Sequence, residues 1–411
     1  MEIMKLALVV PHIFMHQEIL PEVIFSPGEL ALSLAHGLVN QGHEVTIFTP
    51  GPINKFIVDN KLKNQTADLT LFKEELSQRG DSYIELLKKH PLTFITLARQ
   101  VQAEITAQAY QLANQDEFDL VHVWCNEEEL ALVNEQLCQK PVVFNHHEPF
   151  NFLTRYRSIF PKYPHLNWIS LSLAQRETFN RVSLENVNWV GNVYHGINLD
   201  RFKFNQQPED YLVYMGRIIQ PKGVHYAIAC AKELGTKLKI AGKHYAGHSK
   251  DEYWQKFIEP EIDGEFIEYV GFIKTDEEKQ ELLGNATTLL MPSIWQEPFG
   301  MVVLEAMACG TPVVGFNQGG VSEIVKVGQS GWLADYMPEK KINKNGKKVD
   351  QSWAQLKLDQ NFQENVSRLV DNVKKIKTID RTNCRKYLED NFSLEKMCQG
   401  YEEVYQKLKT T

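Results

Sequence analysis

No stretch of this sequence stays apolar for long. Its apolar runs fall well short of the roughly 18 residues that a membrane-spanning helix needs. The N-terminus offers only Leu6 to Val10 before Pro11, too little for the core of a secretion signal. Cysteine is scarce and scattered: six in 411 residues, with no CxxC pair. That removes zinc-ribbon and dithiol-redox chemistry and leaves buried thiols in a reducing compartment. GxGxxG after the first strand, GxxxxGKS/T and HExxH are also absent, so a dinucleotide oxidoreductase, a P-loop enzyme and a zinc protease have no support. Positive charge is thin in the first half. Residues 1–200 hold 15 Lys+Arg against 23 Asp+Glu, whereas the remaining 211 hold 29 of each. The net charge of -8 therefore sits in the first half, the wrong sign for nucleic acid or an anionic bilayer. The expectation is a soluble, cytoplasmic protein with no nucleic-acid partner and no stable membrane association.

What is present is ordinary globular composition, 43% hydrophobic and 23% charged, at a length that suits two domains of roughly 200 residues. Short apolar runs alternate with amphipathic stretches throughout, the pattern of parallel βα units. In the first half this predicts strands at 5–10, 44–48, 120–123, 142–145, 168–171 and 189–193, and a first helix at 28–40 closed by Gly42. Residues 55–115 read as polar and helical without a clear strand, an insertion forming part of a cleft wall. The polar segment 200–210, with Pro208, reads as the interdomain linker. A second alternation follows, with strands at 211–215, 238–241, 266–271, 288–291 and 312–315. Its helices are expected at 224–234, 276–284 and 301–309. Residues 339–350 read as an exposed hairpin or loop around Asn345-Gly346, and 392–408 as a closing amphipathic helix. The architecture expected is α/β: two doubly wound domains with a cleft between them, ligands lying at the carboxyl ends of strands.

Three constellations carry chemistry. Glu297-Pro298-Phe299-Gly300-Met301 runs from a strand into a helix that contains Glu305. Two carboxylates eight residues apart, at most roughly 12 Å along a helix, suit the two ends of an elongated ligand. The free N–H groups between them suit an anion or a sugar oxygen. The plain alternative makes Glu297 a helix-dipole partner and Glu305 a surface residue; the surrounding motif favours the functional reading. Gly216-Arg217 and Lys222-Gly223 follow a strand and place two cations where a pyrophosphate would need them. Otherwise they are two exposed basic residues in a βα loop. His146-His147-Glu148-Pro149 closes a strand, and a histidine there either donates to a hydroxyl or is a turn residue. His195-Gly196 reads equally well as a functional turn or a hinge, and Gly319-Gly320 followed by Glu323 as a ligand-binding turn or a plain one capped by Ser322 or Glu323. Lys243, in Gly242-Lys243-His244, offers a weaker cation.

These residues resemble glycosyltransferase family four, retaining enzymes with the GT-B fold. The resemblance runs nearly end to end: Gly42-His43-Glu44-Val45-Thr46, His195-Gly196, Gly216-Arg217 with Lys222-Gly223, and Glu297 with Glu305. It continues through Gly319-Gly320 with Glu323, Gly331-Trp332, and Phe392 with Gly400-Tyr401 and Tyr405. It implies two Rossmann-like domains facing across a cleft. The first, 1–203, would bind the acceptor and the second, 204–391, the nucleotide sugar, with the final helix 392–411 crossing back to the first. Glu305 would hold the ribose hydroxyls and Glu297 those of the transferred sugar. Backbone N–H groups of Phe299, Gly300 and Met301 would support that sugar, and Arg217 and Lys222, beside Gly216, would neutralise the diphosphate. His147 aligns best with the family's active-site histidine, His146 being the alternate. Where the family often has Gly-Gly after its first strand, this chain reads Phe25-Ser26-Pro27-Gly28-Glu29, leaving Gly28 alone for close approach. No metal and no further cofactor are implied.

The activity expected is transfer of a hexose from a nucleotide-diphospho-sugar, UDP-linked, to a small-molecule or oligosaccharide acceptor with retention, giving an α-glycoside. The family includes enzymes of membrane lipids, but the only candidate patch here is 86–99, which Pro91 interrupts. Alternatives on the same architecture are a nucleotide-sugar epimerase, which needs no acceptor, and a non-catalytic nucleotide-sugar-binding protein.

Overall fold

The computed structural model describes residues 2–23, 25–124, 129–147, 162–181, 187–244, 251–339 and 353–410. Two compact units emerge. The first comprises Met1–Gly196 with Leu394–Thr411, the second Ile197–Ser393.

The first unit is built on a seven-stranded sheet in the order β3-β2-β1-β4-β5-β6-β7. Its strands are β1 (Lys5–Val9), β2 (Glu44–Thr49), β3 (Lys63–Thr66), β4 (Leu120–Val123), β5 (Val142–Asn145), β6 (Asn167–Ser170) and β7 (Asn188–Asn192). All described pairings are parallel, so each connection is a crossover and the strands read as short buried apolar runs. β3 departs from expectation. Its Lys-Asn-Gln-Thr sequence lacks the apolar signal because it is an edge strand, anchored by side chains instead. Asn64 Nδ2 donates to Ile47 O at 3.1 Å and to Thr49 Oγ1 at 2.8 Å, while Lys63 dresses the exposed edge. Nor is 55–115 an appended wall. The helix Pro91–Asn114 buries Phe94, Ala98, Val101, Ile105, Ala109 and Ala113, one face at helical spacing, within the core of the unit.

The second unit carries a six-stranded parallel sheet, β10-β9-β8-β11-β12-β13. Its strands are β8 (Tyr211–Met215), β9 (Lys237–Ala241), β10 (Ile267–Gly271), β11 (Thr288–Met291), β12 (Val313–Phe316) and β13 (Gly331–Ala334). The helices Val224–Leu234 and Asp276–Gly284 fall where the periodicity put them. Of segment 339–350, residues 340–350 lie outside the described residues, as does Cys125. In both sheets the strand order reverses beside the first strand, between β1 and β4 and between β8 and β11. Those are the points where doubly wound sheets open a crevice at their carboxyl ends.

Segment 200–210 is not a linker. It belongs to the second unit, because Asn205 N–H donates to Cys309 O at 3.0 Å and Glu209 N–H to Asn285 O at 2.7 Å. The chain changes unit at Gly196–Ile197 instead of at 203/204. Nor does the closing helix begin at 392. Phe392 ends the helix Arg381–Phe392, Ser393 is extended and bridges Ile197, and the last helix is Leu394–Lys409.

Arg381 locks this arrangement. Its guanidinium, 6% exposed, donates to Asn205 O at 2.6 Å, Ala286 O at 2.9 Å, Gly284 O at 2.6 Å and Thr311 Oγ1 at 2.7 Å. Burial lowers its pKa, yet these four acceptors and Cys309 O, at 3.5 Å, converge on the fork. Arg381→Met should strand those acceptors and cost the second unit roughly 3–5 kcal/mol, seen as an earlier transition in urea. A change within about 0.5 kcal/mol, the surface-substitution range, would show that the fork adds no stability.

Candidate active site

The second unit assembles its expected residues on the loops that leave β8, β11 and β12, three neighbours in the sheet. After β8 the chain turns through the 3-10 segment Gln220–Lys222 into Gly223, at φ +74, which opens the helix Val224–Leu234. A side chain at Gly223 would overlap the carbonyl of Pro292. That close approach lets Ile294 N–H donate to Pro221 O at 2.9 Å, tying the β8 and β11 loops together. Lys222 Nζ consequently pairs with Glu297 Oε1. Ser293 Oγ donates to the same oxygen at 3.1 Å. Glu297, at 5% exposure, is thus a buried carboxylate with two partners on one of its oxygens.

The third loop closes on the second. Gly319, at φ +58, lies so near the Glu297 backbone that any Cβ would overlap it. Gly320 N–H donates to Glu297 O at 2.7 Å, and Gly319 N–H to Gln296 Oε1 at 3.0 Å. The Gly-Gly turn, left open in the sequence between capping and binding, therefore holds the Glu297 segment in place. Gly300, at φ +122, hands the chain to the helix Met301–Ala308, with Phe299 buried beside it.

Arg217 and Lys222 come together over one ring. Arg217 Cζ lies 5.5 Å and Lys222 Nζ 4.7 Å from the centroid of Trp295. No described carboxylate forms an ion pair with Arg217. Gly216 precedes it against the β9 loop, with Gly216 N–H donating to Ala241 O at 3.0 Å. Glu305 sits further along, paired with Lys279 at 2.7 Å, while Lys243 rests over the Phe272 ring at 4.0 Å. Trp295, Ser293 and Lys279 had no motif to mark them. Trp295 stands two residues before Glu297, a signal only in retrospect. Lys279 belongs to a different helix, and no spacing announces it.

The first unit holds its own cluster at the carboxyl ends of β4 and β5. His147 stacks parallel to His195 at 5.3 Å between ring centres and tilts against Trp124 at 4.6 Å. Its Nε2 is buried and makes no hydrogen bond among the described residues. His146 lies behind it, its carbonyl accepting from Gln175 Nε2 at 2.7 Å; Glu148 and Pro149 lie outside the described residues. Beneath them His122 Nε2 meets Asn145 Oδ1 at 2.6 Å and Nδ1 meets Tyr405 Oη at 2.7 Å. The Asn145 oxygen only accepts, so Nε2 carries the proton and Nδ1 accepts from the tyrosine. At Gly28, left alone for close approach in the sequence, an added Cβ would lie 2.6 Å from Met15 Sδ and 2.7 Å from Phe25 Cδ1, so these two side chains press against it.

Burial pushes the imidazole of His122 down to about 3, and burial does the same for His195. His147 is lowered well below 6.5, first by burial and then by His195. Each ring binds its proton in the unfolded chain before the folded one. Their contribution is fully present well above pH 6.5 and is lost as pH falls below it, for His122 and His195 down to about 3. The imidazole resonances of His122, His147 and His195 should therefore show no titration between pH 8 and pH 5 by NMR. A step centred near pH 6.5 in any of them would contradict a buried neutral cluster.

Among the described residues, no group of three or more His, Cys, Asp or Glu is placed to hold a metal, and no helix is long and apolar enough to cross a membrane. Residues 197–374 match the family model described as glycosyl transferases group 1. An uncharacterized glycosyltransferase of Methanocaldococcus jannaschii is 25% identical over 359 residues, 76% of this chain and 83% of that protein. The glycogen synthase of Mycobacterium tuberculosis is 39% identical over 125 residues, 29% of each chain; the match thus spans less than a third of that enzyme. Among solved structures, Anabaena HepE in complex with UDP and glucose superimposes with a TM-score of 0.65 at 15% identity, covering 98% of this chain and 100% of that one. Both units thus have the architecture of GT-B glycosyltransferases.

Proposed function

We propose that this chain, whose residues 197–374 belong to the group 1 glycosyl transferases, moves a hexose from a nucleotide-diphospho-sugar to a soluble hydroxyl acceptor with retention, forming an α-glycoside. The observation that carries the reading is the meeting of Lys222, Arg217 and Glu297 at the switch point between β8 and β11. A doubly wound sheet binds its ligand there.

Two cations and a carboxylate at that point suit a donor split between diphosphate and sugar. Arg217, with no ion-pair partner among the described residues, takes the diphosphate. Lys222 is shared between that anion and Glu297. As the bond to the sugar breaks, negative charge grows on the departing phosphate, and fixed cations stabilise it most where they cannot relax away. Glu297 offers its second oxygen to sugar hydroxyls, and the N–H groups of Phe299, Gly300 and Met301 support the same sugar. Glu305, steadied by Lys279, holds the ribose. Positive charge from Arg217 and Lys222 makes a metal or other cofactor unnecessary in this reading. In the first unit His147, kept neutral by burial, orients an acceptor hydroxyl by hydrogen bonding without adding charge.

A UDP-linked donor is favoured because HepE, of the same fold, was solved with UDP and glucose. The acceptor is read as a small molecule or oligosaccharide, since the first half of the chain is acidic. The five described cysteines are free thiols, in keeping with a reducing cytoplasm.

A thermal-shift comparison of UDP, GDP, ADP and their sugar conjugates tests the donor directly. A ligand at about 100 times its dissociation constant stabilises by roughly 2.7 kcal/mol, and no shift with any of them would remove the donor reading. Release of free nucleotide without an acceptor would turn it toward an epimerase. Lys222→Ala should lower turnover by roughly 100-fold or more, as loss of one fixed transition-state partner does, with the fold intact by circular dichroism. Glu305→Ala should weaken binding of the free nucleoside diphosphate more than Glu297→Ala does. The reverse order would exchange the two roles.

A further inference from the structure

Trp295 is the residue of this site that the reading above leaves without a task. It stands on the loop leaving β11, and its ring lies beside both cations, 4.7 Å from Lys222 Nζ and 5.5 Å from Arg217 Cζ. An aromatic face attracts each and offsets part of their mutual repulsion. Lys222 already has Glu297 as a counter-charge; among the described residues Arg217 forms no ion pair. The indole itself is unfinished. Its Nε1 is buried and makes no hydrogen bond among the described residues, although a buried indole N–H ordinarily finds an acceptor. That nitrogen can only donate. What the ring needs is an acceptor, and what Arg217 beside it needs is a negative charge. A phosphate oxygen meets both requirements at once.

We propose that Trp295 is a positioning residue for the diphosphate of the donor: its ring carries Arg217 and Lys222 side by side, and its Nε1–H donates to a phosphate oxygen that those cations hold. This rests on the donor reading of the β8 and β11 loops and extends it to a residue that no motif marks. It also divides the labour. The cations supply charge, which acts at any angle, whereas an indole N–H is directional and fixes where the phosphate sits.

Trp295→Phe removes the donor and keeps a ring; Trp295→Leu removes both. The test titrates each variant and the wild type with the best-binding diphosphate among UDP, GDP and ADP, with the matching nucleoside, and with inorganic pyrophosphate, by calorimetry. Trp295→Phe should weaken the nucleoside diphosphate and pyrophosphate by roughly 10-fold, the loss of one hydrogen bond to a charged group, and leave the nucleoside unchanged. Trp295→Leu should weaken the diphosphates further, because the cations lose their platform. A merely structural tryptophan would lower all three affinities together. Diphosphate binding by Trp295→Phe within about twofold of wild type, while Lys222→Ala loses it, overturns the proposal and leaves the donor site standing. A wild-type protein that binds none of the three diphosphates overturns both.

Discussion

A carboxylate buried at the end of β11 has to be neutralised, and much of the second unit's loop geometry follows from that requirement. Removing Glu297 from water without compensation would cost more than the unit can supply. Lys222 and Ser293 meet one of its oxygens, and the neighbouring backbone closes in on either side. For Lys222 to arrive, its turn must press against Pro292, which only a glycine at 223 permits. For the other side to close, the 319–320 turn must lie on the Glu297 backbone, which again only glycine permits. Gly223 and Gly319 are therefore parts of one solution. Among the described residues the same closure leaves the second oxygen of Glu297, the guanidinium of Arg217 and the indole N–H of Trp295 with capacity to spare.

The first unit solves a different problem. Its sheet gathers the imidazoles of His122, His147 and His195 around the indole of Trp124 at the carboxyl ends of β4 and β5. His122 is satisfied from two sides, by Asn145 and by Tyr405 of the last helix, so the far end of the chain completes the hydrogen bonding of an interior strand. A second link repeats the pattern: Met4 N–H donates to His43 Nδ1 at 3.2 Å, which turns His43 Nε2 toward Glu402 Oε1 at 3.4 Å. Burial holds the imidazoles of His122, His147 and His195 in their neutral form.

Much of this was legible beforehand. β4, β5, β8 and β11 and the helices at 224–234 and 276–284 lie where apolar runs and helical spacing put them, because a parallel strand buried on both faces has little choice of composition. The Lys222 and Glu297 loops were marked by their residues. Features that depend on partners distant in sequence were not legible. β3 is held by Asn64 and not by apolar side chains. The helix Pro91–Asn114 carries a clear buried stripe, but polar neighbours diluted it across a wide window. The 200–210 segment looked like a linker because its anchor, Arg381, lies more than 170 residues away. Trp295 and Lys279 were hidden for the same reason: their roles arise from pairing across loops and helices.

The chain leaves the first unit at Gly196 and re-enters it at Leu394, which makes the second unit a continuous insertion within a discontinuous one. Synthesis proceeds from the N-terminus, and domains generally fold as units when their residues are available. The second unit has all its residues by Ser393, whereas the first still lacks the helix that carries Tyr401, Glu402 and Tyr405 into its interior. The half that begins first is thus the half that finishes last. Until the final helix docks, His122 and His43 lack their partners Tyr405 and Glu402.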